Sequence, residues 1–584
     1  MSLQKSENSF NHLALDDFAR LSSAATEISS VALGGRVLSV SDDFFAEAFH
    51  LLLVEPAPSL KGQYGPKGAL FSGWESRRHN PTYDWCIIQL GISGFILGFD
   101  IDTSHFNGNE APQASVQALF TTEAEDLLPE DERWVELLPK VDLGPNSRHL
   151  FTIPPTDKAY SHVKLNMYPD GGIARFRVYG LVSPIFPPLT ESFDLASVYA
   201  GGRTVQVSDQ HFGIGSNLVL PGRGRDMRDG WETRRSRVAG HRDWAIVKLG
   251  APGFLEQLEI DTANFMGNFP ESAEVHATSC PHDIPEVTED AWVQILRRTR
   301  LGPHRRHYFQ LENIDDTVFT HIRVTIHPDG GIKRVRVYGK RARANEDEIT
   351  VAESVAAPEP TLSKPLTNGV DHGDKSPLVA SVVGKTIPAV PLTPEGFAAF
   401  GNVVQAYNTP EAAPRGIKVT GANQGSAVKY HALAPVKQNY PVDTGAKTAL
   451  SVYRASPIDA TIGETFDVRL LERHPCTNQA FFPLGAGVDV SEYALERQGR
   501  AYLVITALNG SDDRPDLSTL RAFVASAAQG VVYDTAIWHH PLICLETIID
   551  FACVETQIGG HPLDCEIVEL DPTAGLPRVQ IPKF

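Results

Sequence analysis

The chain repeats itself once, and that duplication limits its folds more than any other feature. Gly34-Gly35-Arg36, followed by Val40-Ser41-Asp42, returns as Gly201-Gly202-Arg203, followed by Val207-Ser208-Asp209. Gly73-Trp74-Glu75-Ser76-Arg77-Arg78 returns as Gly230-Trp231-Glu232-Thr233-Arg234-Arg235, and Asp84-Trp85 as Asp243-Trp244. Asp102-Thr103 with Phe106 and Asn109 matches Asp261-Thr262 with Phe265 and Asn268. Leu143-Gly144-Pro145 with Arg148-His149 matches Leu301-Gly302-Pro303 with Arg306-His307. The segment from Pro169 to Gly180 matches that from Pro328 to Gly339 at ten of twelve positions. A period of about 160 residues is too long for a solenoid and marks a duplicated domain.

Each copy reads as strands. Ile322, Val324 and Ile326 alternate with Arg323, Thr325 and His327. Pro328-Asp329-Gly330-Gly331 turns the chain, and Val335 and Val337 then alternate with Arg334, Arg336 and Tyr338. This pattern predicts a two-faced antiparallel hairpin, repeated around Phe176 and Val178 in the first copy. With 47 glycines, 41 prolines and only 4 methionines, turns and strands are favoured over helical bundles. The copies are taken as residues 12–187 and 188–342, and the architecture expected for them is an all-β sandwich.

From Asn345 to Lys375 there are seven acids, two lysines and no aromatic residue, so residues 343–385 read as an acidic, proline-containing linker. Residues 386–584 are globular again. Tyr502 to Leu508 reads as a buried strand, Leu517 to Ser526 as a short helix capped by Ser518 or Asp516, and Val531–Tyr533, Ile537–Leu545 and Thr547–Val554 as strands.

The formal net charge of −19 argues against nucleic acid or an anionic membrane as the main partner. No apolar run of about 18 residues is present to span a bilayer. The six cysteines (Cys86, Cys280, Cys476, Cys544, Cys553 and Cys565) form no C-x-x-C pair and are too sparse for a disulfide scaffold. A polar N-terminus and a tail, Ile581-Pro582-Lys583-Phe584, that only loosely matches a peroxisomal signal make a cytoplasmic location the expectation.

The informative residues of the duplicated part are polar ones present in both copies. Glu75 with Arg77, and Glu232 with Arg234, are i, i+2 pairs that share a face when extended. They are either surface ion pairs or a cation held for a carboxylate substrate. Arg175 with Arg177, and Arg334 with Arg336, place two like charges on one strand face, which favours an anion between them. Asp102 and Asp261 either orient water or cap a turn. Trp74, Trp85, Trp231 and Trp244 read as core. No H-x-H, H-E-x-x-H, G-x-S-x-G or phosphate-binding loop occurs, so no metal site and no cofactor is expected; a divalent ion is left open. In the last segment Trp538-His539-His540-Pro541 and Glu472-Arg473-His474-Pro475 stand out. Neighbours on a strand face opposite ways, so His539 and His540 do not share a pocket easily. A histidine there suits proton transfer near neutral pH.

These motifs carry two resemblances. The duplicated region, roughly residues 12–342, resembles allantoicase, through its GGR…SD, G-W-E-x-R-R, D-W, D-T-x-x-F-x-G-N and P-D-G-G-I-x-R-x-R-V-Y-G segments. Residues 386–572 resemble ureidoglycolate lyase, through Val428–His431, Arg454-Ala455, Glu472–Pro475, Gln479–Phe481, Pro515–Phe523, Gln529–Val531 with Tyr533, Trp538–Leu542 and Asp550-Phe551. Lys429 and Asp534 depart from the second family's pattern. The resemblances imply two tandem jelly-roll (galactose-binding-like) β-sandwiches and a cupin-like β-barrel with short helices. They imply hydrolysis of allantoate to ureidoglycolate and urea, then cleavage of ureidoglycolate to glyoxylate and urea. Candidate acid/base groups for the first step are Glu75, Asp102, Glu232 and Asp261, with Arg77, Arg175, Arg177, Arg234, Arg334 and Arg336 for the substrate carboxylate. Candidates for the second are His474, His539 and His540, with Asn423, Arg454, Gln479 and Tyr533 holding substrate. A homo-oligomer is expected. The alternative is a carbohydrate-binding sandwich pair fused to a cupin-type enzyme, or a chain with one non-catalytic half.

Overall fold

A computed structural model describes residues 10–582 except 19–20, 22–23, 123–126, 286–287, 343–383, 423–425, 458–462 and 487–500. Asn423 and the linker apart from its last two residues, 384–385, therefore lie outside the described residues. The chain forms two compact units, the first ending at Arg341.

The first unit holds the two sandwiches. A 19-residue strand organises each: Asp84–Asp102 in the first copy and Asp243–Asp261 in the second. Its first half pairs with Tyr160–Tyr168 on one side and Arg36–Val40 on the other. Its second half pairs with Arg175–Val182 and Arg148–Thr152. Cys86, Ile88, Leu90 and Ile96 enter one apolar core at even positions, and after a register shift Phe99 and Ile101 enter it at odd ones. One long strand thus serves both ends of a jelly-roll sheet, and the second copy repeats the pattern with Val318–His327 and Arg334–Arg341.

This arrangement corrects the expected hairpin. Val318–His327 and Arg334–Arg341 each pair with the long strand instead of with each other. Between them Gly331-Ile332 forms its own short ladder with Trp231-Glu232. Alternation reports which face a residue occupies but not which strand lies beside it. The facing itself is as expected, with Val335 and Val337 fully buried. Trp74 and Trp231 are core residues, whereas Trp85 and Trp244 are half-buried at the margin.

The second unit is a cupin-like barrel of two facing sheets. A five-stranded sheet contains Gln479–Ala486, Gly530–Tyr533 and Ile549–Gln557, with Lys447–Ala455 at its edge. A seven-stranded sheet contains Ala501–Asn509, Pro515–Ser526, Trp538-His539 and Leu470–Arg473. One α-helical turn, Pro394–Phe397, starts on Thr393, whose Oγ1 accepts from the Gly396 amide at 3.1 Å.

The expected helix at Leu517–Ser526 is instead part of the strand Pro515–Ser526, paired along Ala501–Asn509. Phe523 and Ala525 enter the core between the sheets, while Leu520, Ala522 and Val524 enter a second core on the outer side. A strand buried on both faces has an unbroken apolar run, which periodicity cannot separate from a helix. The supposed cap is an Asx turn, with Asp516 Oδ1 accepting from the Ser518 amide at 3.0 Å. The strands expected at Tyr502–Leu508, Val531–Tyr533 and Thr547–Val554 are present with small boundary shifts, and Ile537–Leu545 supplies two two-residue strands.

Candidate active sites

In each sandwich the retained polar residues separate into two groups. The first binds the protein's own backbone. Arg175 is buried and donates to the carbonyls of Glu55, Ser72 and Ala174. Arg334 is buried likewise and donates to the carbonyls of Asp229 and Lys333. Arg177 bonds Glu27 at 2.9 Å and two carbonyls, and Arg336 reaches the Leu220 carbonyl and Asp194. Asp102 accepts from the Ser104 amide at 2.8 Å, and Asp261 from the Ala263 amide at 2.8 Å, so both cap a turn. Asp261 also takes both prongs of Arg223 at 2.7 and 2.8 Å. The like charges on these strands are thus separated by carbonyl and carboxylate oxygens of the protein itself.

The second group surrounds Glu75 and Glu232. Neither pairs with the arginine two residues on. Arg77 bonds Asp42 at 2.6 Å, and Arg234 lies 3.5 Å from Asp209. Glu75 accepts from Asn109 Nδ2 at 2.9 Å, and Glu232 from Asn268 Nδ2 at 2.5 Å. Burial raises the Glu75 carboxyl above its ordinary value, against the opposing pull of Asn109 and Arg78. A carboxyl so raised holds a proton at higher pH and suits acid/base work. The neighbouring backbone fixes its position: Gly172 packs flat on the Phe106 ring, where a Cβ would approach within 2.1 Å. Gly331 meets Phe265 in the same way at 2.0 Å. Asn109 and Arg78 were legible as residues shared by both copies, but nothing in their spacing linked them to Glu75.

In the barrel the alternation is consistent. Leu471 and Trp538 face the outer core, so Glu472, His474 and His539 face inward. Donor atoms of Glu472, His474 and His539 all lie within 4.8 Å of one another. His539 Nε2 is 3.8 Å from Glu472 Oε1, and the His539 ring stacks on Tyr533 with centroids 4.0 Å apart. His474 Nδ1 is 2.7 Å from the Asp564 carbonyl and His539 Nδ1 is 2.9 Å from the Ile537 carbonyl. A carbonyl accepts only, so both Nδ1 atoms carry a hydrogen and both Nε2 atoms face the cluster. Gln479 joins by donating to Glu555 at 2.7 Å.

Five buried polar atoms here have no hydrogen-bond partner among the described residues: His474 Nε2, His539 Nε2, Tyr533 Oη, Gln479 Oε1 and Glu555 Oε1. Buried polar groups are ordinarily paired, so these open atoms single out the cluster as a candidate site. Burial raises Glu472, and burial, reinforced by His474, holds His539 down to about 3, so its imidazole is neutral at pH 7. His540 faces away; its Nδ1 lies 2.7 Å from the Pro541 carbonyl and its ring meets Phe466 edge-on. Arg454 bonds Asp550 at 2.9 Å on the strand face opposite Tyr453 and stays 63% exposed, so it is not brought into the cluster. Glu472 and Glu555 were missed as site residues. Glu472 was recoverable, because it lies two residues before His474, at the end of the strand Leu470–Arg473.

Two imidazole lone pairs and a carboxylate are also a donor set that fits a divalent ion, with each histidine oriented through its other nitrogen.

Fold and sites together define an enzyme of two parts, a jelly-roll pair with a half-buried carboxyl in each copy and a cupin-like barrel with an inward acid/base cluster. The chain belongs to the allantoicase family: the allantoicase repeat model matches residues 26–183 and again 193–342. The ureidoglycolate lyase family model matches residues 384–576. A probable allantoicase of Schizosaccharomyces pombe is 48% identical over 326 residues, 55% of this chain and 94% of that protein. The allantoicase of Neurospora crassa is 44% identical over 339 residues, covering 56% of this chain and 96% of the relative. The crystal structure of Saccharomyces cerevisiae allantoicase matches at 40% identity with a TM-score of 0.51, covering 57% of this chain and all of that one. No helix among the described residues is long and apolar enough to cross a membrane.

Proposed function

We infer that the protein carries out two consecutive steps of allantoin breakdown: hydrolysis of allantoate to ureidoglycolate and urea, then cleavage of ureidoglycolate to glyoxylate and urea. The coexistence of both family matches in one chain carries this reading, because the product of one family is the substrate of the other.

For the first step, the raised Glu75 carboxyl protonates the departing urea nitrogen, and its carboxylate then takes a proton from the attacking water. Asn109 holds the carboxyl in place, and Arg78 supplies a cation for the substrate carboxylate. Glu232, Asn268 and Arg235 are the counterparts in the second copy. The contacts of Arg175, Arg334, Asp102 and Asp261 favour a supporting role for those residues.

For the second step, His539 Nε2 takes the proton of the substrate hydroxyl. As the C–N bond breaks, the oxygen becomes the aldehyde carbonyl and Glu472 gives a proton to the leaving urea. The exchange needs an acid and a base but no redox partner. Tyr533 Oη and Gln479 are placed to bond the carboxylate and ureido ends. If Glu472, His474 and His539 held a divalent ion instead, it would occupy the atoms given these proton-transfer roles and would polarise the substrate oxygens in their place. The test is to supply purified protein with allantoate and follow both products. Two ureas and one glyoxylate per allantoate are expected, above the spontaneous decay of ureidoglycolate. Urea release without accelerated glyoxylate would remove the second activity, and no urea would remove both.

A further inference from the structure

The outer sheet face of the first sandwich carries a polar cavity of about 320 Å³ that neither proposed reaction uses. Its floor is built from Lys164 and Asn166 on the strand Tyr160–Tyr168 and from Ser115 and Gln117 on the neighbouring strand. Lys164, Asn166 and Ser115 are each no more than 3% exposed. Asn166 Nδ2 donates to Ser115 Oγ at 3.1 Å and Gln117 Oε1 at 3.2 Å. Asn166 Oδ1, equally buried, has no partner among the described residues. Trp134 and Tyr168 wall the cavity, with the Lys164 ammonium 5.4 Å from the Trp134 ring centroid.

The duplication supplies a control. At the same register the second copy places Arg323 opposite His276 and Thr325 opposite Glu274. There Arg323 sits over Trp292 and grips Glu289 through two bonds of 2.8 Å, while His327 pairs with Glu274 at 3.3 Å. Charged side chains bridge the floor in one copy. In the first copy Ser115 and Tyr168 stand where Glu274 and His327 do, Lys164 takes the place of Arg323, and the open atom is an acceptor, Asn166 Oδ1, where the second copy leaves His276 Nδ1 and Arg323 Nε open.

We propose that this cavity is a second small-molecule site, for an uncharged ligand with hydrogen-bond donors along its edge. The open, buried Asn166 carbonyl requires a donor. Lys164 at the floor opposes a cation. Glu130 and Glu132 also line the cavity, which disfavours carboxylates such as allantoate and ureidoglycolate as its ligands. Two sources share this chemistry, a ureide such as the urea released by the proposed reactions and a neutral sugar ring.

The experiment is saturation-transfer-difference NMR on the full-length protein with N-methylurea, hydantoin, glucose and acetate as separate probes. Transfer to a ureide or to glucose is expected, and that result distinguishes the two sources. Asn166→Leu should reduce the transfer at least fivefold, and so should Ser115→Glu, which installs the second copy's residue. Allantoate turnover should stay unchanged in both and reports correct folding. The proposal is overturned if no neutral probe receives transfer, if acetate matches them, or if transfer survives both substitutions in folded protein.

Discussion

The sandwiches and the barrel treat their polar motif residues in different ways. In the sandwiches most of the repeated charges are engaged by the protein's own backbone: Arg175 and Arg334 hold loop carbonyls, and Asp102 and Asp261 cap turns. In the barrel the inward polar atoms of His474, His539, Tyr533, Gln479 and Glu555 stay unpartnered among the described residues. The contrast is one of degree: Arg334 Nε and Arg336 Nη1 are also buried without a partner among the described residues, but both arginines are anchored through another nitrogen, whereas the open nitrogens of His474 and His539 lie together in one cluster. Charge and repetition alone do not separate the two cases.

That contrast can be broken by substitution. The largest effect is expected from His539→Ala, which should slow glyoxylate release by about 10²–10⁴ fold while the first urea release proceeds normally. Unchanged glyoxylate release would show that the open nitrogen is not part of the chemistry. Glu75→Gln should slow allantoate hydrolysis by about 10² fold. An equal loss from Glu232→Gln would mean that both copies act.

Stability separates the other half of the comparison. Arg334→Met strands two buried carbonyls and should cost the first unit about 1–3 kcal/mol in denaturant unfolding, with kcat per folded molecule preserved. A wild-type stability paired with lost turnover would return Arg334 to the site. The His539 imidazole is held down to about 3 when folded, against an ordinary value of about 6.5. The unfolded chain therefore binds the extra proton first, so barrel stability should fall as pH drops from about 6.5 towards 3. His539→Gln should flatten that slope by up to one proton, and an identical slope would contradict the burial argument. The smallest effect belongs to Arg454→Ala. Its exposed pair with Asp550 should cost less than about 1 kcal/mol and leave both rates unchanged. A large fall in glyoxylate release would place Arg454 in the site after all.

Much of this molecule was readable before folding. Motif order established the duplication, glycine and alternation pointed to strands, and the two sets of motifs pointed to the families that the comparisons bear out. His539 and His474 were among the residues named. The opposite facing of His539 and His540 followed from strand geometry alone. The failures share a cause. The strand Pro515–Ser526 read as a helix because it is buried on both faces, and the supposed hairpin partners are separated by pairing to a distant strand.

What a residue is, and which way it faces along its own strand, is local information that the amino-acid order carries. Which atom it meets is not. Asn109 reaches Glu75 across 34 residues, Arg175 reaches Ser72 across 103, and Gln479 reaches Glu555 across 76. Only the closed sheets bring those pairs together, and only then is it decided which polar groups are satisfied and which remain open for a substrate. The duplication and the chemistry-bearing residue types were settled by sequence. The division of those residues into scaffold and site was settled by tertiary structure, because a hydrogen bond acts over about 3 Å and is indifferent to separation along the chain.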